Sequence, residues 1–203
     1  MAVFAAVALA LITFWLHRRL VRATRLSRPW SWIVDGVLVI LWALAVIGAA
    51  SGSYLDPSWA RAPAFAGMTW LAVVLYLALG LAFVGIGSLI ERLIRRLRRT
   101  EADDAYRVRR LLVLRTATVL VVIASVVTVG YGLVEAARPR VVDVDVALPR
   151  LPAGFDGVRI AVISDLHVGP TRGAAFTRRV VDQVNSTRPD LIVITGDPVS
   201  YTH

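Results

Sequence analysis

The sequence predicts a membrane α-helical bundle of four transmembrane helices, followed by a partial α/β domain in which two parallel strands flank a helix. Three observations carry this prediction. Four long apolar runs are bounded by charge, arginine is concentrated in alternate connections between those runs, and the hydrophobic period changes beyond residue 140 from helical spacing to strand-like runs.

Composition sets the frame. Of 203 residues 57% are hydrophobic and only 18% charged. Mean hydropathy is +0.67, the profile of a multi-span membrane protein. The net charge is +9, and its distribution matters more than its size. Residues 1–135 carry 15 Arg against 7 acids, while residues 136–203 carry 8 against 7. The basicity belongs to the apolar part, so the charge gives no support to a nucleic-acid partner. There is no cysteine, which excludes disulfide frameworks, thiolate nucleophiles and Cys-ligated zinc. Every basic residue apart from histidine is Arg and none is Lys, a pattern that suggests no function.

The apolar runs cover residues 2–16, 32–50, 69–90 and 111–134. At about 1.5 Å per residue the last three cross a hydrocarbon core of about 30 Å. The first is shorter, but Arg18, Arg19, Arg22, Arg25 and Arg28 follow it instead of preceding it, so it reads as a retained helix and not as a cleaved signal peptide. Residues 17–30 hold five Arg and residues 91–115 nine, whereas the 51–68 connection has only Arg61. The positive-inside rule then places the first two connections in the cytoplasm and the third outside. The N-terminus and everything beyond about Glu135 are expected on the extracytoplasmic side of the cell membrane, in a multi-pass arrangement.

Three features inside this part have ordinary structural readings. Asp35 is placed in the first turn of its helix, where a carboxylate complements the helix dipole. Arg115, at the start of the fourth helix, can snorkel to the interface. Gly48 and Gly52 form a weak close-packing motif at a helix end.

Beyond residue 140 the pattern changes. Val142, Val144 and Val146 alternate with Asp143 and Asp145, as in a strand with one wet face. Residues 158–164 form a β-branched, nearly all-apolar run suited to a strand covered on both faces. Residues 174–187 place Phe176, Val180, Val181 and Val184 on one side of a helix. An Arg-Pro-Asp break follows, and residues 191–197 repeat the buried-strand pattern before ending in Gly196 and Asp197. Strand, helix and strand with this crossover length make a right-handed parallel βαβ unit.

Both strands end in aspartate. Asp165 and Asp197 therefore occupy matching positions beyond the carboxyl ends of neighbouring strands, where open α/β sheets place ligands. Strands about 4.8 Å apart let the two carboxylates converge on metal ions. In Asp165-Leu166-His167 the intervening leucine can turn to the core while its neighbours face the site.

These residues resemble the opening of a calcineurin-like metallophosphoesterase of the membrane-anchored type, with transmembrane helices before the catalytic domain. Residues 164–169 match the family's Asp-x-His block, and residues 193–197 the start of its Gly-Asp-x-x-Asp block. The similarity extends over residues 141–197. The resemblance implies a two-metal centre in which Asp165 and His167 ligate the first divalent ion and Asp197 bridges both. The metals, which could be Mn, Fe, Zn or similar, bind phosphate oxygens and activate a water for in-line attack on phosphorus. Gly196 allows the close backbone approach that a larger residue would obstruct.

After Asp197 the chain departs from the family. Pro198 follows directly, Ser200 stands where the second Asp belongs, and the Gly-Asn-His block, a further His and the terminal Gly-His-x-His are missing. No leaving-group acid can therefore be identified. The only other histidines are His17, on the cytoplasmic side, and the terminal His203. The organisation expected is a four-helix transmembrane domain over 1–135, a linker over 136–140 and an incomplete phosphoesterase segment over 141–203, C-terminally truncated.

The function expected is a membrane-anchored, metal-dependent phosphoesterase. It hydrolyses a phosphate ester or pyrophosphate of a small molecule or lipid outside the cytoplasmic membrane, with this truncated chain inactive or impaired. The alternative is a non-catalytic four-helix membrane protein with a vestigial outer domain. The partners implied are the lipid bilayer and a phosphorylated substrate, with no nucleic acid.

Overall fold

A computed structural model describes residues 2–50, 57–99, 103–169 and 172–198. Four long helices come first: α1 (Ala2–His17), α2 (Arg28–Ala50), α3 (Pro57–Leu97) and α4 (Asp104–Ala136). A π-helical segment, Arg18–Arg22, extends α1. All four helices are long and apolar enough to cross a membrane.

The helices overrun the apolar stretches that mark them in the sequence. The 51–68 connection, expected as a loop, is helical from Pro57 onward. Proline suits a first helical position, and four alanines between residues 60 and 66 propagate the helix. Likewise α4 begins at Asp104, where the Asp103 carboxylate accepts a hydrogen bond from Tyr106 N at 2.8 Å as its N-cap. Hydropathy marks what lies in hydrocarbon, whereas caps and backbone propensity set where a helix ends. At about 1.5 Å per residue, α3 is about 60 Å long and projects well beyond a 30 Å core.

The same shift corrects the reading of Asp35. Because α2 starts at Arg28, Asp35 lies two turns in and not at the helix dipole's end. Its partner is His17, whose Nδ1 lies 2.6 Å from Asp35 Oδ1. Arg22 Nε donates to His17 Nε2 at 3.2 Å, so Nε2 is the acceptor and the ring proton sits on Nδ1, facing the carboxylate. Arg115 also differs from the expectation of simple snorkelling. It lies three turns into α4, and its guanidinium donates to the carbonyls of Thr24 (2.8 Å) and Arg25 (3.0 Å), capping the C-terminal end of the first helical segment.

Leu16, Leu38, Val74, Leu77 and Leu81 form the core of the bundle, with Trp15, Trp70 and Val121 among the residues packed around it. Helices α2 and α3 meet where Ala45, Gly48, Ala64 and Gly67 are all buried. A Cβ at Gly67 would collide with the Leu44 carbonyl and fall 2.9 Å from Ala45 N. Gly48 sits against Ala64 O and Met68, while Gly52 lies outside the described residues. Small residues that let backbones meet are the usual basis of helix association in lipid. The outer faces remain apolar, with Phe83 74% and Val3 78% exposed, surfaces that hydrocarbon and not water would cover.

The C-terminal part is a parallel two-stranded sheet, β1 (Ile160–Ser164) beside β2 (Leu191–Thr195), in register from Ile160↔Leu191 to Ser164↔Thr195. The connecting helix α5 (Ala174–Ser186) carries the half-buried stripe Phe176, Val180 and Val184, while Val181 stays 46% exposed. Two expectations fail here. Residues 141–148 form no strand, and Val142, Val144 and Val146 are exposed, because among the described residues only β1 and β2 pair. Nor is the sheet covered on both faces: Ile160, Val162, Leu191 and Ile194 are all more than half exposed.

Gly67→Leu is expected to lower the thermal midpoint of the helical circular-dichroism signal in micelles, at an overpacking cost of about 1–3 kcal/mol. Gly87→Leu, where a Cβ meets nothing within 4 Å, is expected to leave it nearly unchanged.

Candidate metal centre

The site lies at the carboxyl edge of the two-stranded sheet, and the backbone builds it before any side chain does. Past the last paired residues the ladder continues: Asp165 N donates to Thr195 O (3.3 Å), His167 N to Asp197 O (3.1 Å) and Val168 N to Pro198 O (3.0 Å). The loops 165–168 and 195–198 thus run side by side, which brings Asp165, His167 and Asp197 to one edge as the sequence predicts.

Three residues there adopt left-handed backbone conformations: Asp165 (φ 51°), His167 (φ 46°) and Gly196 (φ 73°). Aspartate tolerates this region better than most residues, and glycine adopts it freely. Two non-glycine residues held so in one tripeptide is a local departure of the kind that concentrates at functional sites. Leu166 between them is half-buried while Asp165 and His167 are exposed, as the Asp-x-His spacing predicts. A Cβ at Gly196 would collide with the Asp165 carboxylate, so only glycine fits that position on both counts.

The side chains are linked but not gathered around one point. Asp165 Oδ1 accepts from the Asp197 backbone N–H at 3.2 Å, and its Oδ2 accepts a short hydrogen bond from the Ser164 hydroxyl. His167 Nδ1 lies 3.6 Å from Asp197 Oδ2. Arg172 Nη1 donates to the Asp165 carbonyl at 3.4 Å, while its guanidinium lies over the Phe176 ring. The Ser164 hydroxyl, then the Asp197 N–H, hold the Asp165 carboxyl below the usual aspartate range, with a smaller contribution from His167. Sequence reasoning did not single out Ser164 or Arg172. Nothing in the motif spacing marks either one, since their roles depend on the turn geometry.

Two carboxylates and an imidazole are appropriate ligands for a divalent cation of the Mn, Fe or Zn type, and Gly196 keeps the approach open. Among the described residues, however, no three His, Cys, Asp or Glu groups come together as a cluster able to hold an ion. The residues fit a metal by type and by placement at one edge, with the Asp165 carboxylate engaged by Ser164 and the Asp197 amide. Ser200 and His203 lie outside the described residues. His17 is in the bundle, bonded to Asp35.

Comparisons with known proteins match the segment that carries this edge. The family model for calcineurin-like phosphoesterases matches residues 158–203. Over 172 residues the chain is 34% identical to a Danio rerio protein named transmembrane protein with metallophosphoesterase domain, covering 79% of this chain and 36% of that relative. A Bos taurus protein of the same name is 40% identical over 89 residues, 43% of this chain and 20% of the relative. The UDP-2,3-diacylglucosamine pyrophosphatase LpxG of Chlamydia muridarum is 42% identical over 53 residues, 26% of this chain and 16% of the relative. The chain therefore spans about a third of the length of the zebrafish relative. No solved structure matches.

Ser164→Ala removes the leading stabiliser of the ionised Asp165, so the Asp165 carboxyl resonance is expected to titrate at higher pH than in the native chain. The native contribution is present above the ordinary aspartate pKa and disappears as pH falls through the lowered one. An unchanged titration midpoint in a 13C carboxyl experiment would contradict the Ser164 assignment.

Proposed function

We propose that the C-terminal segment of this chain is a calcineurin-like phosphoesterase segment, as the match over residues 158–203 supports, and that the protein is a membrane-anchored, metal-dependent hydrolase of phosphate esters or pyrophosphates. The single observation that carries this reading is the placement of Asp165, His167 and Asp197 along one sheet edge by the paired loop backbones. The alignment to the zebrafish relative is far longer than the matched phosphoesterase segment, so it extends into the helical part as well. This supports a membrane domain over 1–135 that carries a phosphoesterase segment over 141–203 through the linker 136–140.

In this reading Asp165 and His167 hold one divalent ion, and Asp197 is shared with a second. A bound divalent metal neutralises phosphate charge and makes water acidic enough to act as a nucleophile near neutral pH. The protein's own groups do the positioning. The laced backbone sets the separation of the two carboxylates, Ser164 and the Asp197 amide keep Asp165 ionised and ready to ligate, and Gly196 leaves room beside it. Arg172, donating to the Asp165 carbonyl, adds a cation next to these residues. A substrate that is itself lipid-linked suits a site tethered by a five-residue linker to a membrane helix. The pyrophosphatase named above acts, by its name, on a diacylated sugar nucleotide, which is consistent with that substrate class.

Arginine distribution supports an orientation with the N-terminus and the site on the extracytoplasmic side of the cell membrane. With Arg172→Cys as the only cysteine in the chain, labelling of intact cells by a membrane-impermeant maleimide is the expected outcome. Protection until the membrane is opened would reverse the orientation.

Asp165→Ala is expected to weaken Mn2+ binding to the purified chain by more than about 100-fold, read by calorimetry. It is also expected to abolish any Mn2+-stimulated hydrolysis of an aryl phosphate. Binding and hydrolysis that survive the substitution would remove the metal-centre reading and favour a non-catalytic outer segment on a four-helix membrane protein.

A further inference from the structure

At the arginine-rich end of the bundle, away from the sheet, a cleft of about 240 Å³ opens between the π-helical segment, α3 and α4. Two arginines, Arg19 and Arg92, line it together with Thr24, Ser88 and Thr118, over walls that include Leu81 and Leu114. On α3 the contributing residues Gly85, Ser88 and Arg92 fall at three- and four-residue intervals, which places them on one face.

Gly85 is what admits Arg19. The Arg19 Nη1 and Nη2 atoms both lie 3.1 Å from where a Cβ at Gly85 would be, so a Cβ alone would press on the guanidinium and a long side chain such as leucine would displace it. Arg19 also lies 5.5 Å from the Trp15 ring centroid, in cation–π contact. It belongs to the π-helical segment, a widened turn of a kind often found at functional sites.

Snorkelling explains an arginine that reaches the interface. It does not explain one whose guanidinium lies against Gly85 of α3, in a cleft that a second arginine also lines. Among the described residues neither Arg19 nor Arg92 has an acidic partner within 4 Å: Asp35 is paired with His17, and Glu91 with Arg110 at 3.8 Å. Two like charges lining one cleft are stabilised by an anion, and the Ser88 and Thr118 hydroxyls add donors suited to phosphate oxygens, whereas the Thr24 hydroxyl is donated to backbone carbonyls.

We propose that this cleft binds the phosphate of an anionic phospholipid headgroup. Its volume is below the roughly 300–1,000 Å³ of pockets that enclose drug-sized ligands, which suits a single phosphate group and not a nucleotide. The adjoining surface of α3 favours a lipid over free phosphate. Leu89, which lines the cleft, is 64% exposed and offers an apolar surface for acyl chains. Basic pockets between transmembrane helices are a known mode of headgroup capture.

The test uses the full chain purified in neutral detergent, with dioctanoyl phosphatidylglycerol, dioctanoyl phosphatidylcholine and inorganic phosphate as probes, and binding read by calorimetry. Phosphatidylglycerol is expected to bind at least tenfold more tightly than either of the other two. Arg19→Gln and Arg92→Gln are each expected to weaken it about tenfold or more. Gly85→Leu, which leaves both charges in place but displaces Arg19, is expected to do the same, and Arg109→Gln on the exposed face of α4 to change nothing. Helical circular dichroism identifies any variant that fails to fold. Equal affinity for phosphatidylcholine, or an Arg109→Gln loss matching that of Arg19→Gln, would overturn the site. Inorganic phosphate binding as tightly as the lipid would overturn its assignment to a headgroup.

Discussion

The candidate site depends on one constraint: the parallel pairing of β1 and β2 does not stop where the strands do. Hydrogen bonds from Asp165 N, His167 N and Val168 N to carbonyls of the opposite loop carry the ladder three residues further. Each of these loops holds an acidic residue whose carboxylate would otherwise be free to diverge. Backbone bonding is non-specific in sequence, yet here it determines which side chains share an edge. It is reinforced by a second closure at the other end of the sheet, where Asp190 Oδ2 accepts from Arg159 N and Asp190 N donates to Arg159 O, both at 2.9 Å. With both ends tied, the register of five paired residues cannot slip without breaking both sets of contacts.

The helices place that edge relative to the membrane. Since α3 and α4 are longer than a hydrocarbon core requires, their ends reach into the region where the sheet sits. The Arg61 guanidinium, from the N-terminal end of α3, packs against Gly173 at the start of α5, and a Cβ there would lie 3.0 Å from its Nη1. The linker is held on both sides: Arg140 Nη2 lies 2.5 Å from Glu135 Oε1, and Gln183 Nε2 donates to Pro139 O at 3.0 Å. Exposed ion pairs contribute little individually. Together with the short linker, however, these contacts hold α5, and through it the site, close to the ends of the bundle.

Most of the helical part was legible in the sequence, because apolar runs in lipid are long and arginine marks their ends. What hydropathy could not supply were the boundaries and the partners. Asp35 looked like a dipole-complementing residue until the true start of α2 placed it opposite His17, and Arg115 proved to cap a neighbouring helix end. The packing glycine that matters most, Gly67, had no motif to announce it, whereas Gly48 was noticed only through its spacing from Gly52. At the sheet, the position of Asp165 and Asp197 at the carboxyl ends of neighbouring strands was legible because an apolar β-branched run that stops at a carboxylate marks where a strand ends. Ser164 and Arg172 were not, since each acts through a turn conformation that composition does not encode.

The amino-acid sequence by itself determined the division into a lipid-facing helical part and a βαβ segment, the parallel sense of its strands, and the residues offered at their carboxyl ends. These follow from local patterns of apolar and charged residues, which solvent and lipid read one segment at a time. Only the tertiary structure decided that residues 141–148 pair with no strand among the described residues, that one face of the sheet stays open, and that the Asp165 carboxylate turns toward Ser164 and the Asp197 amide. It also decided that Arg19 folds over Gly85. Each of these depends on which groups from distant parts of the chain come within bonding distance, and that is a property of packing rather than of sequence pattern.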